Sequence, residues 1–184
     1  TIINADTSNG LKLTSDTSGE IQLQSAGTTI ATVDSTGLTM ASSKLLASTG
    51  PAFIAYPSAV QTLSTGTWTT LAYNTEVYDT NNNYNTSTYA FTPTVAGYYN
   101  FNALVRSTGA TTRFYTKFLK NGTANYYGND FNFAANSLNS NYSALIYMNG
   151  STDNVVAQGF LQGSGGLALG AVVPIYSAFL ARAA

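Results

Sequence analysis

In the segment Gly97-Tyr98-Tyr99-Asn100-Phe101-Asn102-Ala103-Leu104-Val105, apolar side chains recur at every second position. Tyr99, Phe101, Ala103 and Val105 fall on one face; Tyr98, Asn100, Asn102 and Leu104 fall on the other. A period of two is the spacing of a strand, and one apolar face is what an antiparallel sheet turns toward its core. A helix built from the same residues would scatter the rings around its axis. The pattern returns at Tyr142, Ala144, Ile146 and Met148, just before Asn149-Gly150. Segment 114–119 runs into Asn121-Gly122, the strongest short-range hairpin signal. Segments 155–160 and 172–180 add two further strands. No stretch combines a 3.6-residue apolar period with helix caps. Short strands punctuated by turn residues specify an all-β sandwich or barrel.

Composition narrows the function classes. Charged residues make up 8% of the 184, against about 25% in ordinary soluble domains. Asn, Thr and Ser supply the polarity instead. Disorder would need high charge and few aromatics, whereas 12% of this chain is aromatic. No run approaches the ~18 apolar residues of a membrane-spanning helix, so no membrane insertion is expected. The net charge is −1 and the Lys and Arg residues are scattered, which leaves no basic patch for nucleic acid. The absence of Cys removes disulfides and thiolate metal sites, and the absence of His removes the commonest general base. Thr1 is a small residue of the kind left after removal of an initiator Met, as expected of a nearly complete chain, though a trimmed chain would begin the same way. No secretory leader pattern opens the sequence.

Two zones differ in texture. In residues 1–41 the apolar residues come in small clusters: Leu11 with Leu13, Ile21 with Leu23, Ile30 with Val33, Leu38 with Met40. Ser18-Gly19, Ala26-Gly27 and Thr36-Gly37 separate them. Four such strands hold too little apolar surface for a monomeric core, and without Cys nothing staples them. Two readings compete, a disordered tail and a short trimeric β stalk to which each of three chains gives one wall; the stalk is preferred. Residues 42–50 read as a linker, and residues 51–184, with the long strands, as a head.

Within the head, Tyr73, Asp79, Tyr84, Phe91, Gly97, Tyr99 and Phe101 fall at the spacing of the C1q-domain signature. Phe91-Thr92-Pro93-Thr94-Val95-Ala96-Gly97-Tyr98-Tyr99-Asn100-Phe101 resembles that family's most recognisable strand. Pro51-Ala52-Phe53-Ile54-Ala55 resembles its opening strand and Ser177-Ala178-Phe179-Leu180 its closing one. The departures are Tyr73 in place of Phe, Ala103 in place of an aromatic, and Thr152 in place of the Gly before Asp153. The resemblance implies a ten-stranded jelly roll of the C1q/tumour-necrosis-factor type that assembles as a homotrimer, with local repacking near Ala103. Gly97 is expected to let the chain turn sharply after Pro93, and Phe91, Tyr99, Phe101 and Trp68 to lie in the core. Segments 18–24 and 31–37 are similar to stalk sequences of bacteriophage fibre proteins, where C1q-like heads recur as tips.

Catalysis finds little to build on. Ser-His-Asp and Cys-His arrangements are impossible, and a glycosidase pair would have to come from Glu76, Asp79, Asp130 and Asp153, of which Asp79 is expected to be structural. No enzyme activity and no obligatory cofactor are expected. Calcium could find oxygen ligands among Asp79, Asp130 and Asp153, but no known calcium-loop spacing appears, and capping of turns accounts for the same carboxylates. Ligand contact is expected from loops. Asn125-Tyr126-Tyr127-Gly128-Asn129-Asp130 sets adjacent tyrosines beside small polar residues, and run 136–141 is rich in Asn and Ser. Tyr126, Tyr127, Asn129, Asp130, Asn139 and Asn141 are the candidate binding residues, by the composition of adaptable recognition surfaces; ordinary hairpin loops would have that composition too.

Three functional readings follow. In the first, the chain is a non-enzymatic phage fibre or spike on the virion surface, its head binding a host glycan or protein receptor and its N-terminal segment contacting other virion proteins. In the second it decorates a capsid or tail with a mainly structural role. In the third it is a secreted, extracellular C1q-like binding protein, which the stalk-like zone and missing leader disfavour. The first two predict different copy numbers and attachment points on an imaged particle.

Overall fold

The computed structural model describes residues 19–35, 37–41, 50–132, 138–163, 166–167 and 174–184. Leu11 and Leu13, most of the linker (42–49), Asn136 and Val172 lie outside the described residues. The chain divides into two units between Ser48 and Thr49.

In the first unit, β1 (Ile21–Ser25), β2 (Thr28–Asp34) and β3 (Gly37–Met40) form an antiparallel meander. Ala26 and Gly27, both at positive φ, make the two-residue turn that closes Ser25 onto Thr28. Leu23, Val33 and Leu38 are exposed, and Ala31 is the only buried residue among those described in this unit. The sheet thus forms with almost no core of its own.

The second unit holds thirteen strands among its described residues: β4 (Ala52–Tyr56), β5 (Gln61–Thr62), β6 (Trp68–Thr70), β7 (Thr75–Asp79), β8 (Tyr84–Asn85), β9 (Ala90–Phe91), β10 (Ala96–Thr108), β11 (Thr111–Lys120), β12 (Ala124–Phe131), β13 (Asn139–Asn149), β14 (Val155–Gly163), β15 (Gly166–Leu167) and β16 (Ile175–Ala183). One sheet runs β13-β10-β16-β4-β7, with β15 and β5 continuing from the far end of β10. The other runs β12-β11-β14, and β6 and β9 share the outer edge of β14, with β8 beyond β9. All pairings between strands are antiparallel. The all-β sandwich expected from the alternation is the observed architecture.

The alternation sets the core. Tyr99, Phe101, Ala103 and Val105 are fully buried, while Tyr98 is exposed on the opposite face. Phe101 meets Phe118 at 5.7 Å, Phe91 at 6.0 Å and Tyr176 at 6.4 Å between ring centroids. Phe53 stacks on Tyr84 and Phe91 at 4.3 and 4.7 Å. Ala103 is the small residue in this layer, and its partners on both neighbouring strands, Tyr142 and Tyr176, are tyrosines. Their size fills what an aromatic at 103 would occupy.

Buried tyrosines must find acceptors for their hydroxyls. Tyr73 donates to the Leu104 carbonyl, Tyr84 to Tyr73, Tyr99 to Val95, Tyr142 to Lys117 and Tyr176 to Val155, all at 2.7–3.1 Å. Burial also pushes the Tyr99 phenol up to about 12. The Asp79 carboxylate accepts from the backbone N–H groups of Tyr84 (2.6 Å) and Asn81 (3.3 Å), tying the turn that follows β7. At Asn121-Gly122 both residues have positive φ and Thr123 N–H returns to the Lys120 carbonyl, so the hairpin signal is realised.

Two expectations change. Gly97 is required by close packing rather than by a sharp turn. A Cβ there would lie 2.4 Å from the Arg182 carbonyl oxygen and 2.7 Å from Leu180 Cδ1, where β16 bulges against β10. Trp68 is not in the core. It pairs with Phe160, whose neighbours Gly159 and Leu161 face inward, so register puts both rings on the outer face of the second sheet.

Asp153 closes the turn between β13 and β14. It accepts from Lys120 Nζ and Asn121 Nδ2, each at 2.7 Å, and from the Asn149 N–H at 2.9 Å. Burial opposes its ionisation, yet these donors outweigh that and hold its pKa below the usual carboxylate range. A depressed folded pKa adds stability above the unfolded value of about 3.9, which is lost as pH falls through the folded one. Asp153→Ala should therefore cost about 1–3 kcal/mol at neutral pH by leaving donors unpaired. Urea melts of the variant should also show a shallower acid limb below about pH 4 than the parent. Equal acid limbs would mean that other carboxylates govern acid unfolding.

Candidate functional site

Asn125-Asp130, expected as a loop, is the body of the edge strand β12. The turn before it takes up only the three residues Asn121–Thr123, opened by the left-handed Asn-Gly pair. Asn139 and Asn141 likewise belong to β13. Successive strand residues face opposite sides, so Tyr126 packs against the core while Tyr127 is 57% exposed on the outer face. The two adjacent tyrosines therefore do not share one surface. A bulge at Gly128-Asn129, opposite Thr116, restores Asp130 to the outer side. Gly128 is required there, since a Cβ would lie 2.6 Å from the Tyr142 ring. Asn129 donates to the Asn141 carbonyl at 3.1 Å, which joins those two candidates away from Tyr127 and Asp130.

Tyr127 and Asp130 meet residues that the sequence did not single out. Across the outer face, pairing aligns Asp130, Tyr115, Phe160 and Trp68 in one row, and Tyr127, Lys117, Gln158 and Thr70 in the next. The Trp68 indole leans across β14, with its centroid 5.2 Å from Tyr115, 5.6 Å from Phe160 and 6.1 Å from Tyr127. Tyr115 and Tyr127 stack at 5.2 Å. Lys117 lies beneath: its Nζ sits 4.2 Å from the Trp68 centroid and donates to Asn125 Oδ1 at 2.7 Å. Burial lowers the pKa of that ammonium, and the ring face and the amide oxygen compensate the charge. Arg113 closes the rim. Its Nε and Nη2 donate to the two Asp130 oxygens at 2.9 and 2.6 Å, and its Cζ lies 5.4 Å from the Tyr115 centroid. The hydrogen bond to Arg113 holds Asp130 below the usual carboxylate range. Trp68, Arg113, Tyr115, Tyr127 and Phe160 line a depression of about 140 Å³.

The outer face of the first sheet is different. Tyr98 and Tyr147 pair edge to face at 5.4 Å, and Leu145 and Phe179 flank Asn100 across the strands. Both are about half exposed, at 58% and 48%. Tyr98, Leu145, Ala181 and Arg182 line a cleft of about 320 Å³.

Asp79, Asp130 and Asp153 are held in three separate networks, and no three acidic side chains gather into a metal-binding group among the described residues.

No protein-family model matches the sequence, and no curated protein matches it either. Solved structures do match the fold. The globular domain of zebrafish complement 1qA protein is 20% identical with a TM-score of 0.56, over 73% of this chain and 99% of that one. Murine APRIL, crystallised at pH 5.0, is 8% identical with a TM-score of 0.54, over 71% of this chain and 98% of that one. The likeness is one of fold: a jelly roll of the C1q/tumour-necrosis-factor type.

Proposed function

We propose that the chain is a non-enzymatic, homotrimeric surface-binding protein of the phage-fibre type, with residues 51–184 as the binding head, 42–50 as linker and 1–41 as stalk and virion anchor. The observation that carries the assembly is the outer face of the first sheet. Tyr98, Tyr147, Leu145 and Phe179 gather four large, half-exposed apolar side chains around Asn100 on one sheet face, a surface that symmetric association would bury. A three-fold arrangement agrees with the C1q-like resemblance. The first unit points the same way, since its described residues bury only Ala31 and three chains together would supply a core. Its likeness to fibre stalks supports a virion setting and a host-surface receptor.

Light scattering on the full chain at micromolar concentration is expected to give the mass of three chains. Introducing charge with Tyr98→Glu and Leu145→Glu together should shift the head toward monomer while the β spectrum persists. A parent protein that runs as a monomer overturns the assembly, and a charged variant that stays trimeric overturns the interface. Gold-labelled antibody to residues 51–184 should decorate phage particles at fibre tips; absence of label overturns the virion setting.

A further inference from the structure

We propose that Trp68, Tyr115, Tyr127 and Phe160, rimmed by the Arg113–Asp130 pair, form a binding site for neutral sugar rings on the outer face of the second sheet. This deepens the reading of the head as a surface-binding module by naming its ligand class and site.

Aromatic rings on a sheet surface often do no more than brace neighbouring strands. Here the hydroxyls argue for more. The five tyrosines of the core each donate to a backbone carbonyl. Among the described residues, no group accepts from the hydroxyl of Tyr115 or Tyr127, and both residues line the depression. The patch thus offers a ring platform with unengaged hydroxyls, the amphipathic surface that suits aromatic residues to half-wet contacts. A pyranose is amphipathic in the matching sense, with C–H bonds on its faces and hydroxyls around its rim.

Charge selects among ligands. Arg113 is already bidentate to Asp130, and Lys117 is buried under the indole with its ammonium given to Asn125. No uncompensated charge is presented, which disfavours uronate polymers, phosphate and anionic lipid. The paired guanidinium and carboxylate still offer remaining N–H and lone-pair positions to sugar hydroxyls. The depression is well below the roughly 300–1,000 Å³ that encloses a drug-sized ligand, so the sugar stacks on the surface rather than entering a pocket. It lies on the outer face of the second sheet, whereas the proposed interface is on that of the first. Three such sites on one trimer would turn weak single contacts into avid binding of a repeating glycan.

The chain contains one tryptophan, Trp68, so its emission reports this site alone. The full chain is titrated with soluble oligomers of glucose, mannose, galactose and N-acetylglucosamine, and with oligogalacturonate as the charged probe. A saturable change in emission is expected with at least one neutral oligomer, and Tyr127→Ala should weaken it by about tenfold or more. Tyr126→Ala, on the other face, should leave affinity unchanged. Emission unmoved by every neutral oligomer, tighter binding of the galacturonate, or full affinity in Tyr127→Ala each overturns the proposal. Light scattering on the same samples separates the two readings. A trimer blind to sugar overturns only this site, and a monomer that binds sugar overturns only the assembly.

Discussion

Phe101→Ala is expected to cost about 3–5 kcal/mol of unfolding free energy, the range for removing a buried aromatic ring. Phe101 is completely buried and touches the rings of Phe91, Tyr99, Phe118 and Tyr176, which come from both sheets. Neighbours held on two layers cannot close over the vacated space, so the cavity penalty should be near full. Phe179 supplies the control. It is equally large but half exposed on the other side of the same sheet, and Phe179→Ala should change the unfolding free energy of the subunit little. Urea denaturation in the dissociated Tyr98→Glu, Leu145→Glu background checks both, since in the assembly Phe179 also lies in the proposed interface and its loss would lower apparent stability through association. A loss below about 1 kcal/mol at Phe101 would mean the faces of β10 are reversed.

Gly97→Val should be comparably damaging, about 3 kcal/mol or more, for the opposite reason. The substitution adds atoms where β10 and β16 leave none. The first added carbon already falls 2.4 Å from a backbone oxygen and 3.0 Å from the Ala183 Cα, and backbone cannot swing aside as a flexible side chain does. Gly122→Ala makes the comparison. Its φ is +69° but nothing lies within 4 Å of an added Cβ, so only the left-handed backbone is penalised, by about 1–2 kcal/mol. If the two variants melt together, backbone conformation rather than close packing explains Gly97.

These positions show where sequence was sufficient. β10 could be read with its faces because residues 97–105 alternate under one constraint, a buried side and a more exposed side. Asn121-Gly122 could be read because its geometry is local. The aromatic patch could not. Trp68 lies in a strand of three residues, too short to show a period, and its outward direction is set by pairing with Phe160, far along the chain. β12 looked like a loop because its Asn, Gly and Asp suit turns and because the bulge at Gly128-Asn129 interrupts the alternation. Tyr126 and Tyr127 have the composition of a recognition surface, but adjacency in sequence is separation across a strand. The signal that could have found Tyr115 and Lys117 was β11 itself: Phe114, Thr116 and Phe118 mark the inner side, which leaves Arg113, Tyr115 and Lys117 outside.

The strand order has a bearing on how the protein is made. β16, the last strand, lies in the middle of its sheet, between β4 from the start of the unit and β10 from its centre. Until β16 has been made, β4 and β10 have no partner between them and those edges stand open. The sandwich can close only once β16 has been made and is free to pair, and every nascent copy passes through a stage with unpaired strand edges and exposed rings. Pairings that span most of the unit are slow to form. Neighbouring nascent chains on one polysome would then meet while those edges are open, so the balance between correct closure and strand exchange is set by synthesis rate and local crowding as much as by the final contacts.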